Sequence, residues 1–268
     1  MNERELVIRL AERVRDITID YLEKYEDYAE ILTHRPRDVT RKIDMIAENA
    51  LDEAIKEECI CARIISEEIG ERVVPENGMP EYTLVFDPVD GSNNLVSGIP
   101  YFCSSIALSK VTKDAKYKDI SSSAVAGAYG GTYSAEKGKG SCLNGKPIHT
   151  SAFTGKPKYS IYAYGSGRIP KGIILLEEED CIVRTLGSVA LDICMVARGS
   201  FHAMIDSRYK VSGYDIMAAG LILEESGGTI TDMMGYSLSE TPVNSTGLSI
   251  VCAAGQQPHD RIVRFLKM

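Results

Sequence analysis

The sequence predicts an α+β half followed by an α/β half, with the change near residue 155. Two observations carry this. Up to about residue 150, two long helix-period runs precede a succession of β-favouring runs. Beyond the Gly/Pro/Lys-containing stretch Thr150 to Lys158, strand and helix signals alternate instead. The expected units are therefore residues 1–154 and 155–268.

Leu6, Leu10, Val14, Ile17, Tyr21 and Tyr25 recur at three- and four-residue steps and mark a long amphipathic first helix. The Arg35-Pro36 break comes before a second helix from about Thr40 to Glu58, with Ile43, Ala47, Ala50 and Ala54 along one face. Strands are expected at Ala62 to Ser66, Tyr82 to Phe86 and Tyr101 to Lys110, then a hairpin through Ser123 to Glu136 and a tight turn at Asn144-Gly145. In the second half the expected elements are Ser160 to Tyr164, Cys181 to Thr185, Ser188 to Ala197, Phe201 to Asp206, Tyr214 to Ser226 and Ser249 to Ala253, before a last helix. The acid run Glu177 to Asp180 reads as a solvated loop or a helix end.

A chain of 268 residues with a 44% hydrophobic share can bury a sizeable core. The net charge of -8 and the lack of a Lys/Arg-rich block argue against a nucleic-acid partner. The N-terminus is charged from Glu3 onward and no apolar run approaches the ~20 residues of a membrane span, so a cytoplasmic protein without a membrane partner is expected. Seven scattered cysteines give no disulfide framework, and Cys59-Ile60-Cys61 lacks the second pair or nearby His of a zinc site. Any metal should be bound by carboxylates.

The most informative stretch is Asp87-Pro88-Val89-Asp90-Gly91-Ser92-Asn93-Asn94, straight after the apolar run Tyr82 to Phe86. That run reads as a buried strand, with Asp87 at its carboxyl end, where α/β proteins commonly bind ligands. Pro88 is expected to stop the strand and turn Asp87 and Asp90 toward one point, while Gly91 lets the amides of residues 91 to 93 approach an anion. Carboxylates repel phosphate unless a hard divalent cation lies between them, which suits Mg²⁺. The plain alternative is an Asp-rich turn capping a strand.

The full string resembles the signature of the inositol monophosphatase and fructose-1,6-bisphosphatase superfamily, usually written D-P-x-D-G-[ST]-x-N. Ser66-Glu67-Glu68-Ile69-Gly70 resembles the family's strand ending in a Glu-Glu pair, and Asp38 to Asp44 looks like its D-x-x-T-x-x-D region at a helix start. Gly213 to Gly220 resembles the second signature, W-D-x-A-A-G, with Asp215 as its Asp. Taken singly, Asp44 and Glu68 read as surface acids and Asp215 as a helix cap. Together, in family order from about Thr40 to the C-terminal region, they are not explained that way.

The resemblance implies a layered αβαβα sandwich, the sugar phosphatase fold, with the active site at the seam between the halves. It implies that Glu67 and Asp87 hold one Mg²⁺ and that Asp87, Asp90 and Asp215 hold a second, with the Val89 carbonyl as a further ligand and Asp44 assisting a third ion. Mn²⁺ is an expected substitute and Li⁺ an expected inhibitor. Glu67, Asp87 and Ser92 are the expected catalytic residues, Ser92 orienting the attacking water. Gly91, Ser92 and Asn93 would bind phosphate oxygens.

Animal-type relatives carry a Glu seven residues before the second signature's Asp, where it accepts hydrogen bonds from inositol; here the residue is Arg208. A guanidinium fork suits a second phosphate, which favours a bisphosphate. Asp90, Ser188, Tyr164 and Arg168 join it as expected substrate contacts, with Tyr162 in the same cluster. The opposing reading has Arg208 in solvent and the tyrosines in the core. The family pattern is altered at Tyr214, usually Trp, and at Ser92, usually Thr; neither change removes a ligand. The expected function is a Mg²⁺-dependent phosphatase of sugar phosphates, acting on fructose 1,6-bisphosphate and inositol 1-phosphate as a homodimer or higher homo-oligomer. A strict inositol monophosphatase, a nucleotide 3′-phosphatase, an NADP phosphatase and a non-catalytic phospholigand-binding relative are the alternatives.

Overall fold

The structure is a computed structural model that describes residues 2–34, 39–151, 155–165 and 169–268. Helix α1 (Glu3–Lys24) buries Leu6, Leu10 and Val14 as its spacing predicts, whereas Tyr25 lies beyond its last turn and is exposed. A hairpin of β1 (Ile31–His34) and β2 (Val39–Arg41), absent from the sequence expectation, leads into α2 (Lys42–Glu57). The expected break at Arg35-Pro36 lies outside the described residues.

Eight strands follow: β3 (Ala62–Ser66), β4 (Glu71–Val74), β5 (Tyr82–Asp90), β6 (Cys103–Ser109), β7 (Ile120–Gly127), β8 (Thr132–Glu136), β9 (Ser141–Leu143) and β10 (Lys146–Pro147). They form one sheet in the order β10-β9-β8-β7-β6-β5-β3-β4, interrupted in sequence by the short helix α3 (Ser92–Val96) after β5. Among the paired strands of this sheet only β3 and β5 run parallel. The turn between β9 and β10 is the expected Asn144-Gly145, with φ of 50° and 73°.

The chain continues through β11 (Lys158–Tyr162), α4 (Lys171–Glu177), β12 (Ile182–Arg184), α5 (Val189–Ala197), β13 (Ala203–Val211), α6 (Gly213–Glu225), β14 (Thr229–Asp232), β15 (Leu248–Ala253) and α7 (Gln256–Leu266). The acid run from Glu177 is thus the end of a helix. A five-stranded sheet forms in the order β12-β11-β13-β15-β14, with β11 parallel to both its neighbours.

Strand alternation sorts the core into layers. Leu84, Phe86, Ile106 and Leu108 face α1 and α2 in one apolar cluster. Val85, Ala107, Val125 and Tyr133 face the other way, onto α5 and α6, and Met204, Ile250 and Cys252 of the second sheet meet the same two helices from beyond. Ala203, Ile205, Val251 and Ala253 turn outward to Ile173 and Leu176 of α4 and Ile262 and Val263 of α7. The order is therefore helices, sheet, helices, sheet, helices: the expected αβαβα sandwich. Helix α6 buries Ile216, Met217, Ala218, Ala219, Leu221, Ile222 and Leu223, so it is apolar almost all round, as a helix between two sheets must be. At Gly213 a Cβ would stand 1.9 Å from the Val243 carbonyl oxygen, so only glycine lets the start of α6 lie this close to the chain beside it.

Candidate active site at the seam

Strand β5 does not stop at Pro88. It runs to Asp90, pairing Asp87 with Ser105 and Asp90 with Cys103 across a bulge. The bulge lets a residue without an N–H sit inside a strand, and the extra residue re-aims the acids around it. Asp87 is buried and accepts the Val89 N–H at 3.0 Å. Asp215, at the third position of α6, accepts the Ser212 N–H at 2.6 Å, and it lies close enough to Asp87 for its negative charge to raise Asp87. Burial first, and then the negative charges of Glu67, Asp90 and Asp215, push Asp87 well above the usual carboxylate range. Burial likewise lifts Asp215 to about 7.

Asp90 is gripped from the other half of the chain. Its carboxylate accepts the Ser188 hydroxyl at 2.6 Å, the Ala190 N–H at 2.6 Å and the Val189 N–H at 3.1 Å, all at the start of α5. A negative charge at a helix N-terminus is well placed. Burial still raises Asp90 to about 6, against the lowering effect of these three donors. Ser188, expected at the substrate, is thus committed to Asp90. As the side chains stand, no three His, Cys, Asp or Glu groups among the described residues converge tightly enough to hold an ion. The donor set nevertheless fits a hard divalent cation: Asp87 has Glu67, Asp90 and Asp215 within electrostatic reach, and among the described residues Asp90 Oδ1 accepts only the Val189 bond, which leaves a lone pair.

Glu67 lies half-buried in the turn after β3, close enough for its charge to raise Asp87. That turn is anchored by Arg72, which sequence reasoning missed. Its guanidinium donates to Ser66 Oγ at 3.0 Å, to Asp52 at 2.6 Å and to the fully buried Glu48 at 2.7 Å. Asp44, third residue of α2, is buried and accepts the Arg41 N–H at 2.7 Å.

Ser92 opens α3. Gly91 before it has φ of 98°, and a Cβ there would lie 2.9 Å from the Tyr101 carbonyl oxygen, so the turn requires glycine twice over. Asn93 is exposed and its Oδ1 accepts Arg41 Nη2 at 3.2 Å. Asn94, the last letter of the signature, staples the seam: its Nδ2 donates to the Tyr101 carbonyl at 2.8 Å and to the Leu186 carbonyl at 2.7 Å. Asp192, also missed, accepts Tyr101 OH at 2.6 Å, Tyr162 OH at 2.8 Å and the Ser160 hydroxyl, while Tyr162 OH accepts the Gly187 N–H at 2.8 Å. No sequence pattern marks it; a lone acid in an apolar helix was the available signal.

Arg208 does not face solvent but is paired and stacked within the chain. It donates from Nε and Nη2 to the fully buried Asp206 and from Nη1 to Tyr164 OH at 3.0 Å, and its guanidinium lies 4.6 Å from the Tyr162 ring centre and 5.0 Å from that of Tyr164. A paired, stacked cation is not an open fork, though two of its five N–H groups are uncommitted. Tyr162 is a core residue, whereas Tyr164 is exposed. Arg168 lies outside the described residues.

The sequence profile of the inositol monophosphatase family matches residues 4–267. The chain is 34% identical over 250 residues to a bifunctional NADP phosphatase/NAD kinase of Methanococcus maripaludis, a match covering 84% of this chain but 42% of that protein. It is 30% identical over 269 residues to a fructose-1,6-bisphosphatase/inositol-1-monophosphatase of Methanothermobacter thermautotrophicus, covering 98% of this chain and 96% of the relative. A solved structure of an inositol monophosphatase-fructose 1,6-bisphosphatase superposes with a TM-score of 0.79 at 27% identity, covering 99% of this chain and all of the other.

Proposed function

We propose a substrate and a set of residue roles from one premise: the chain belongs to the inositol monophosphatase family, whose members are phosphoric monoester hydrolases that generally depend on Mg²⁺. The substrate is a sugar phosphate, fructose 1,6-bisphosphate and also inositol 1-phosphate. The observation that carries the reading is the gathering of acids at the seam: buried Asp87 and Asp90, with Asp215 and Glu67 near enough for their charges to raise Asp87. Such a group is stable only with protons or cations added, and at neutral pH a divalent cation satisfies it.

Asp87, Asp90, Asp215, Glu67 and the Val89 carbonyl hold two Mg²⁺, with Asp44 assisting a third and Mn²⁺ able to substitute. When bound, these ions acidify water and stabilise the leaving oxygen. The chain's own groups do the rest. Ser92 Oγ orients the attacking water, and Glu67 is the nearest acid to take its proton. The amides of residues 91 to 93 face the phosphate oxygens. Asn94 and Asp192 keep the two walls of the seam in register, and Tyr164 with the free edge of Arg208 lines the distal side. A cytoplasmic homodimer or higher homo-oligomer belongs to the same reading and is checked by sedimentation velocity.

A second reading, NADP phosphatase, is favoured by the Methanococcus relative and by the exposed Tyr164 ring beside Arg208, a surface on which a base can stack. A phosphate-release panel in Mg²⁺, comparing fructose 1,6-bisphosphate, inositol 1-phosphate, NADP and 3′-phosphoadenosine 5′-phosphate, ranks these. Fastest release from fructose 1,6-bisphosphate supports the first reading, fastest release from NADP replaces it with the second, and no release from any member removes the catalytic assignment. Li⁺ should inhibit at the position formed by Asp90 and Asp215; a flat Li⁺ titration at saturating Mg²⁺ would count against that placement.

A further inference from the structure

Arg41 stands at the junction of β2 and α2, fixed there by its own backbone N–H on Asp44. Its guanidinium reaches across to the turn after β5, where Nη2 donates to Asn93 Oδ1 at 3.2 Å. The other terminal nitrogen, Nη1, is buried and has no hydrogen-bond partner among the described residues, and no carboxylate there pairs with the group. This sets Arg41 apart from Arg72 and Arg208, each of which is neutralised by a buried acid. A buried guanidinium nitrogen without an acceptor is an incomplete arrangement, and the missing partner is an acceptor of negative charge.

We infer that Arg41 is a substrate-binding residue that donates from Nη1 to the phosphoryl group lying against the Gly91-Ser92-Asn93 turn, with Asn93 holding the guanidinium in place. The inference rests on the proposed phosphatase reading and adds to it a fixed protein cation on the phosphate. The seam otherwise presents Asp87, Asp90, Asp215 and Glu67 to a phosphate dianion. A guanidinium on the turn side offsets that repulsion from a direction the acids do not occupy, and its planar fork matches two phosphate oxygens. Because the contact is to the phosphoryl group common to all substrates, Arg41 sets affinity for phosphate esters in general rather than choice among them.

The test measures inorganic phosphate binding to the Mg²⁺-loaded protein by calorimetry, for wild type, Arg41→Gln and Arg41→Lys. Arg41→Gln should weaken phosphate binding by roughly ten- to a hundredfold, the size of one lost charge-assisted contact, and Arg41→Lys by several-fold less. Mg²⁺ affinity and melting temperature should be unchanged, because the α2 cap uses the backbone N–H, which any residue but proline supplies. Phosphate affinity of Arg41→Gln within about twofold of wild type overturns the inference. So does an equal loss of Mg²⁺ affinity, which would make Arg41 a support for the acids. If wild type releases no phosphate from any ester, the phosphatase reading falls, while the binding measurement still decides Arg41.

Discussion

At the seam, Asp87 lies beside Asp215; elsewhere, Asp206 of β13 meets Arg208 and Asp192 of α5 meets three hydroxyls. Asp87, Asp192 and Asp206 are buried and Asp215 is partly so, yet their surroundings are opposite. Asp206 and Asp192 have donors supplied by their own neighbourhood, so each is complete in the folded chain. Asp87 and Asp215 each take one backbone N–H and are otherwise set beside each other. Burial of a charge is tolerated where the chain brings a partner, and where it brings a second like charge the partner must come from outside. This difference separates framework acids from the candidate site more clearly than burial or acid content does.

The sharpest way to break the comparison is at Asp87. Asp87→Asn should keep the fold and lower turnover by roughly 10³-fold or more, the scale of a group that stabilises charge in the transition state. Steady-state kinetics with Mg²⁺ titration checks this; near wild-type turnover, or turnover that persists in EDTA, would remove the acids from the chemistry.

At the paired acids the expected loss is in stability. Arg208→Ala strands the fully buried Asp206 and should destabilise the protein by about 3–5 kcal/mol in urea unfolding. Against the substrate panel the same variant should lose more on fructose 1,6-bisphosphate than on inositol 1-phosphate if the free edge of Arg208 meets a second phosphate. Equal losses would leave Arg208 a framework residue, and the reason for preferring a bisphosphate would go with it.

The pH dependence of the metal-free protein sharpens the contrast. Asp215 has a folded pKa of about 7, above its unfolded value, so its folded form holds a proton that the unfolded chain has released. Its contribution is present below about pH 4 and is lost as pH rises through about 7. In EDTA, wild-type stability should therefore fall across that window, while Asp215→Asn, neutral throughout, should fall less, so that the gap between them changes in favour of the variant. Melting curves at stepped pH read this directly. A constant gap would mean that Asp215 titrates normally.

The smallest effect is expected at Tyr162. Tyr162→Phe keeps the ring under Arg208 but removes one donor from Asp192 and the acceptor of the Gly187 N–H, at a cost of about 1–3 kcal/mol. A change below about 0.5 kcal/mol in urea unfolding would show that solvent replaces the hydroxyl there.

The two regions also differ in how far they can be read from the chain. The acids of the seam sit in contiguous signatures, and their element ends follow from local rules: Gly91 must adopt a positive φ, Asp215 caps its own helix, and Leu6, Leu10 and Val14 fall on one helical face. Pro88 shows the limit of such rules. As a local unit it ends a strand, but the neighbouring β6 accommodates it in a bulge and β5 continues to Asp90. Helix α6 fails a simple amphipathic reading for a similar reason, since sheets cover it on both sides.

The candidate acids, the glycine turn and the type of most elements can be read along the chain, because each depends on residues a few positions apart. Which partner each charge receives follows from the folded arrangement. Asp90 is held by Ser188, 98 residues away; Asn93 is reached by Arg41, 52 residues away; and Arg208, free to face solvent or phosphate as a sequence position, is turned onto Asp206 and two tyrosine rings. The Asp90 contact comes from packing the two halves across a shared helical layer, the Arg41 contact from the placement of α2 beside the turn after β5, and the Arg208 stacking from the pairing of β11 with β13; none of these is encoded by a local pattern.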